Sequence, residues 1–385
     1  MTFGRSYLVV AGMTVGALGL SVAVNCGGGT ADTSSTGSGG STSTGTMTTT
    51  TTGAGMHQEP PVPGPMKAPD GAASTTFAIS KLYLGNTDPD GTADPANGWK
   101  HFGYDLDGII STGMTPGLCK PRNNAPLKNI HTDGTNGVDN SFGKNILPVI
   151  IGLSSDAPTK INDGLKSGKF TIMLDMQKLG AGGDYNPMTT QLYAGGDLGG
   201  MAKFDGTDKW PVRPELLNDP ADLTKGSKIS FPMSYVTGNT WVSGSKGDVT
   251  LALSVSNFTL NLTIASAVLS VTLDPAHKKG SKGIIAGVLN TDTLISELKK
   301  VAGAFDPTLC MGPTIDSITA QIAQASDIMH DGTQDPGKQC DGISIGIGFD
   351  AEVVKLGPIA PAAVMKPNPC DADGGTGDGG KTDGG

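Results

Sequence analysis

Four acidic, glycine-bearing loops carry most of the chemistry this chain could perform. Residues 90–95 read DGTADP and 331–336 read DGTQDP, with shorter echoes at Asp133-Gly134-Thr135-Asn136 and Asp205-Gly206-Thr207-Asp208. The stretch NTDPDGTADPANGWKHFGYDLDG (86–108) offers Asp88, Asp90, Asp94, Asn97, Asp105 and Asp107. Aspartates at i, i+2 and i+6 around a glycine suit a hard cation, which wants several oxygens on a sharply bent chain. DGTNGVDN (133–140) is a second oxygen-rich loop, with Asp133, Asn136, Asp139 and Asn140. The metal-ligating candidates are therefore Asp88, Asp90, Asp94, Asn97, Asp133, Asn136 and Asp139, and calcium is the ion they suit. An EF-hand is excluded, because its remaining oxygen, glycine and glutamate positions fall on Thr92, Ala93 and Trp99. The competing expectation is plain turns, since Asp-Gly and Asn-Gly close hairpins through local hydrogen bonds.

Other chemistries find little footing. DGISIG (341–346) contains a formal GxSxG, but the residues after Ser344 continue a strand and no histidine follows His330. A nucleophile elbow needs a strand-to-helix turn and a later histidine. GVDNSFGKN (137–145) lacks the spacing and the Ser/Thr of a phosphate loop. The five histidines are scattered, with no i, i+4 pair to make a helical metal site. A formal charge of −9 and only three arginines (Arg5, Arg122, Arg213) argue against nucleic acid as a partner. Paired loop carboxylates could still serve an extracellular hydrolase. Trp99, Trp210, Trp241 and Tyr104 are candidate stacking residues for a glycan.

Residues 1–26 form an export signal: Arg5 supplies the positive start, and YLVVAGMTVGALGLSVAV (7–24) is apolar. The run meets Cys26 and then a Gly/Ser/Thr stretch, which resembles the lipobox of bacterial lipoproteins. The resemblance implies lipid on Cys26 and departs from the usual pattern at Ala23 and Asn25. Cleavage after Ser21-Val22-Ala23 and a retained membrane anchor are the alternatives. With Cys26 lipidated, Cys119, Cys310, Cys340 and Cys370 remain for two disulfides in an oxidising compartment. Sequence does not choose among the three pairings. Cys310–Cys340, which would clamp one helical hairpin, is preferred here, leaving Cys119–Cys370.

Residues 27–76 read as a linker, Ser/Thr/Gly-rich and then Pro-rich, and 371–385 as a disordered Asp/Gly tail. Between them, 77–370 must hold the fold. Its strongest signal is period-two alternation. Strands are expected at 76–84, 170–177, 228–236, 248–256, 258–264, 267–274, 283–289 and 342–353, with parity shifts near 256–257 and 265–266 marking turns or bulges. Helical spacing appears at 291–305 and 313–332, and more weakly at 142–153. One polar face per strand implies antiparallel pairing. The expected fold is mainly β, antiparallel and β-sandwich-like, with two or three helices; α+β is the alternative.

GYDLDG (103–108), DGTNGVDNSFGKNI (133–146) and ASDIMHDGTQDPGKQCDGISIGIGF (325–349) resemble segments shared by lipoproteins of myxobacterial type, a group without a known activity. The resemblance covers about 77–357. It implies an exported, anchored β-rich domain and no functional residues. The expected protein is lipid-anchored at the cell envelope, on the outer membrane or cell surface. Its expected role is non-catalytic, either binding a glycan or envelope component or serving structurally. A hydrolase using loop carboxylates and a carrier of an apolar ligand are the alternatives.

Overall fold

A computed structural model describes residues 57–153, 155–244, 246–255, 258–305 and 309–362. The chain is mainly β, as the alternation implies, with ten strands in one mixed sheet. They are β1 (Thr75–Tyr83), β2 (Thr171–Met176), β3 (Tyr185–Gly195), β4 (Lys209–Val212), β5 (Ile229–Thr237), β6 (Thr240–Val242), β7 (Gly247–Val255), β8 (Phe258–Leu273), β9 (Lys279–Asn290) and β10 (Gly342–Ile359). Eight of them pair in a closed antiparallel ring, β1–β2–β3–β5–β6–β8–β9–β10 and back to β1. Closure leaves these strands no exposed edge along the ring. β7 extends β8 as a hairpin, and β4 joins the C-terminal ends of β3 and β10, parallel to β10.

Alternation sorts the strand residues into two layers. Phe77, Ile79, Leu174, Met176, Trp241, Leu269, Val271, Ile343, Ile345 and Phe349 belong to the largest core cluster. Ala78 and Met173, of opposite parity, pack outside it with Trp210 and Val354. That second layer explains why Met173 interrupts an otherwise polar face. The reverse side of β8 and β9 carries Val268, Ile284, Ala286 and Val288, and Phe102, Tyr104, Leu106 and Ile328 cover them. These four covering residues come from the loops that hold the acidic groups. A gap among Ile172, Leu192, Val249, Ile264, Leu269 and Ile285 encloses about 10 Å³, one water's worth of room against the ~300–1,000 Å³ of a ligand pocket.

Five α-helices are described: α1 (Leu127–Ile130), α2 (Leu147–Leu153), α3 (Ala157–Lys166), α4 (Thr291–Phe305) and α5 (Pro313–Gln324). α4 spans the expected residues. α2 continues directly from a π-helical turn at Phe142–Ile146, so Pro148 lies inside one helical run just after the widened turn. α5 stops at Gln324, eight residues before the expected end. Ser326 and Asp327 turn away, bonding to Thr291 and Ser344, and Ile328 pairs with Gly342 instead. The two strands expected at 258–264 and 267–274 are one strand, β8, whose register slips between Ala265 and Val268. Ser266 there takes a left-handed φ of 51°. The parity shift marks a bulge, not a turn. No helix among the described residues is long and apolar enough to cross a membrane.

Two expectations change. Cys119 pairs with Cys340, across 221 residues, and not Cys310 with Cys340. The helical hairpin is not clamped because α5 ends early, which carries Cys340 toward the loop of Cys119. Cys310 is disulfide-bonded as well, and Cys370 lies outside the described residues. The Pro-rich part of the expected linker is laid along the domain. Lys67 bridges to Asn186, Tyr235 Oη donates to the Pro61 carbonyl (2.6 Å), and Tyr185 Oη donates to Asp70 Oδ1 (2.6 Å). Proline stiffness makes such docking cheap in entropy. The export signal, Cys26, the linker to residue 56 and the 371–385 tail lie outside the described residues.

Candidate metal centre

The repeated Asp-Gly-Thr stretches resolve into two kinds. In three of them the aspartate closes on its own loop: Asp90 accepts from Thr92 N–H (2.8 Å), Asp205 from Thr207 N–H (2.9 Å) and Asp331 from Thr333 N–H (3.0 Å). Local hydrogen bonds hold all three carboxyls below their ordinary range. Asp94 accepts from Asn97 N–H (3.1 Å), Asn97 Oδ1 accepts from Lys100 Nζ (2.7 Å), and Asp88 lies 3.6 Å from His101 Nε2. All four members of the 86–97 set therefore have local partners in a turn-rich surface loop.

Asp133 departs from this pattern. Its carboxylate accepts from Ser111 N–H (2.5 Å) and Ser111 Oγ–H (2.8 Å), twenty-two residues away. Asp139 accepts from Leu106 N–H (2.7 Å) and donates its own N–H to the Tyr104 carbonyl. These bonds lash the 131–140 loop to the 102–111 segment. Along that segment Phe102, Tyr104 and Leu106 pack with Val268, Ile284 and Val288 of the sheet, while Asp105 and Asp107 bring oxygens together with Asp139. Burying the three apolar side chains contributes roughly 1.5–3 kcal/mol each. That gain offsets the cost of placing carboxylates nearby in poor contact with water.

The result is a carboxylate cluster at the loop end. One oxygen each of Asp105, Asp107 and Asp139 lie within 4.8 Å of one another. Asp105 also contacts His57 Nδ1 at the start of the Pro-rich segment and accepts from Gly108 N–H (2.7 Å). Asp107 accepts from Ile109 N–H (2.8 Å) and Gln334 Nε2–H (2.7 Å). Asp327, from far along the chain, adds its charge to the group and accepts from Ser344 N–H (2.9 Å) and Oγ–H (2.5 Å). Asn140, inside the same loop, looks away. Its Nδ2 donates to the carbonyls of Trp99, Phe102 and Gly346, and its Oδ1 accepts from Gly143 and Gly346 N–H.

Burial sets the charge of this cluster. It pushes the Asp133 carboxyl up to about 8, against the pull of Ser111 and with Asp107 and Asp327 adding to it. Asp327 rises to about 7 by burial, opposed by Ser344. Asp139 lies well above its ordinary value through burial and then repulsion from Asp107, Asp133 and Asp327; Asp107 is raised as well, chiefly by burial. The neighbouring cation is Lys144, bonded to the Thr132 carbonyl (2.8 Å) and lowered to about 8 by burial. Near neutral pH these groups can either keep protons or share a cation. Calcium–oxygen distances of about 2.3–2.6 Å allow ligand oxygens up to roughly 5 Å apart, and the three oxygens fall inside that limit.

Of the seven ligand candidates, Asp139 joins Asp105 and Asp107, while Asp133 is bonded to Ser111 and senses Asp107 only through its charge. Asp88, Asp90, Asp94 and Asn97 keep their surface turn, and Asn136 offers its carbonyl to Gln58 N–H (2.8 Å). Asp105 and Asp107 were visible as an i, i+2 pair. Their signal was the apolar alternation of GYDLDG, which aims both carboxylates one way. Asp327 lay hidden inside an expected helix. Ser344 is fully buried in β10, in keeping with a glycine-bearing strand. Trp99, Trp210, Trp241 and Tyr104 are all buried, so none presents a face for sugar stacking. No family model, curated protein or solved structure matches the chain.

Proposed function

We propose that this chain is an exported envelope protein, lipid-anchored through Cys26, whose β-rich domain has a non-catalytic binding or structural role and whose loop end is set by calcium. The observation that carries the metal assignment is the approach of Asp105, Asp107 and Asp139 within 4.8 Å at a largely buried position. A divalent ion there would neutralise carboxylates that otherwise repel one another. It would also tie the 102–108 and 131–140 loops into one rigid surface.

The test is a thermal melt of the full chain in EDTA and then in millimolar calcium. An ion bound only by the folded state stabilises by roughly 2.7 kcal/mol at one hundred times its dissociation constant. Asp107→Asn and Asp139→Asn are expected to abolish the shift, and Asp90→Ala with Asp94→Ala to leave it intact. An unshifted melt would sink the calcium assignment. Loss of the shift in the Asp90/Asp94 variant alone would move the ion to the surface loop.

The alternatives carry less support. A hydrolase would take its acids from the 86–108 and 331–341 loops, where Asp90 and Asp331 are instead tied to Thr92 and Thr333 of their own turns. A carrier of apolar ligands would need far more interior room than the gap beside Leu269 provides.

A further inference from the structure

A second set of metal-ligating atoms lies beside the carboxylates, with different chemistry. Cys119, Cys340 and His131 each place a ligand atom within 4.8 Å of the others, and all three are at most 2% exposed. Met329 packs on the same two cysteines, so the surroundings are sulfur-rich and dry. His131 Nε2 lies 2.9 Å from the Cys119 carbonyl. A ligating histidine commonly donates its other ring N–H to a backbone carbonyl, which fixes the ring and frees the remaining nitrogen. The Asp327 carbonyl stands 3.6 Å from Cys119 Sγ and is also within hydrogen-bond reach of the imidazole, so a metal on that ring nitrogen would displace this contact.

We infer that reduction of the Cys119–Cys340 disulfide uncovers a site for one thiophilic cation, zinc or cuprous ion, held by the two thiolates and His131. The step balances with a dithiol reductant. Two electrons and two protons pass from that dithiol to the disulfide, the reductant ends as its own disulfide, and Cys119 and Cys340 become thiols. Metal binding then displaces two protons. A divalent ion neutralises both thiolates, which suits a buried site, and the soft sulfurs select against calcium. The two centres would thus divide the loop end by ligand type, oxygen for a hard ion and sulfur with nitrogen for a soft one.

The test uses the full chain carrying Cys310→Ser and Cys370→Ser, so that reduction frees the Cys119 and Cys340 pair. The chain is reduced with a phosphine, kept in saturating calcium, and titrated with zinc against a chromogenic chelator; cuprous ion is titrated in a parallel arm. The expected result is one equivalent bound by the reduced chain and none by the oxidised chain, with two protons released per zinc. Cobalt in place of zinc is expected to show thiolate-to-metal charge-transfer absorption. His131→Ala should weaken binding at least tenfold while the reduced chain keeps its cooperative melt. Equal binding by oxidised and reduced chains, binding unchanged by His131→Ala, or loss of the cooperative melt on reduction overturns the inference. Tight cuprous binding without zinc binding narrows the site to a monovalent ion.

Discussion

Asp133, Asp139 and Asp327 bind protons more tightly in the folded chain than an ordinary aspartate does, because burial disfavours their charged form. Each therefore contributes stability that is full below about pH 4 and lost as pH rises through its folded value. His131, held below its ordinary value by burial, works the other way: its contribution is present above the ordinary histidine value and lost as pH falls. Lys144 does so only from about pH 8 upward. Three carboxyls outweigh one imidazole between pH 5 and 8, so in EDTA the stability of the chain is expected to fall across that window. Urea denaturation at pH 5, 6.5 and 8 measures it, and Asp133→Asn is expected to flatten the slope. Calcium competes with those same protons, so its affinity should climb over the same range. A urea midpoint that rises with pH in EDTA would contradict this assignment of charge.

At the scale of elements, the loop end depends on how closely Phe102–Asp107 can approach β10, and the glycines of GISIGIG permit it. A Cβ at Gly346 would stand 2.1 Å from the Phe102 carbonyl oxygen, and one at Gly348 would stand 2.3 Å from the Phe102 ring. Gly346→Ala is expected to cost about 1–3 kcal/mol by overpacking and to weaken calcium binding, because Asp105 and Asp107 ride on the displaced segment. Gly152→Ala, on an open face of α2 with nothing within 4 Å, serves as the control and should change neither by much. Elements with clean alternation or helical spacing were legible in the sequence: β1, β2, β5, β7, β9, β10 and α4. β3 was not, because Pro187 and the polar pair Thr189-Thr190 break its pattern. Yet Thr190 is buried and accepts from Trp241 Nε1–H (2.9 Å). β6 is three residues long, too short for any period to show. Part of the candidate metal centre was visible, since Asp139 was among the ligand candidates and Asp105 and Asp107 stood in the other acidic stretch. Asp327 and Gln334 enter it only through tertiary contacts that no local spacing records.

For the molecule as a whole, the eight-strand ring and the Cys119–Cys340 bond hold different things together. The ring closes through hydrogen bonds among β1–β3, β5, β6 and β8–β10 and includes neither cysteine. The disulfide joins the 107–126 loop to the 327–341 loop. From it a relay runs inward: Cys119 N–H donates to Gln334 Oε1 (2.9 Å), and Gln334 Nε2–H donates to Asp107 Oδ2 (2.7 Å). Cross-linking 221 residues apart restrains the unfolded chain by roughly 5 kcal/mol in the chain-entropy description, and measured losses on removal run to about 2–5 kcal/mol. Cys119→Ser with Cys340→Ser is therefore expected to lower global stability by a few kcal/mol while the far-ultraviolet signature of the ring persists. Hydrogen exchange separates the two effects. Amides of Cys119, Gly342 and Gly108 should lose protection well beyond the global change, and those of β2 and β3 should follow the global change alone. The double variant should also bind calcium more weakly, because Gln334 no longer holds Asp107 in place. Uniform loss of protection over ring and loops would show instead that the disulfide serves the whole barrel.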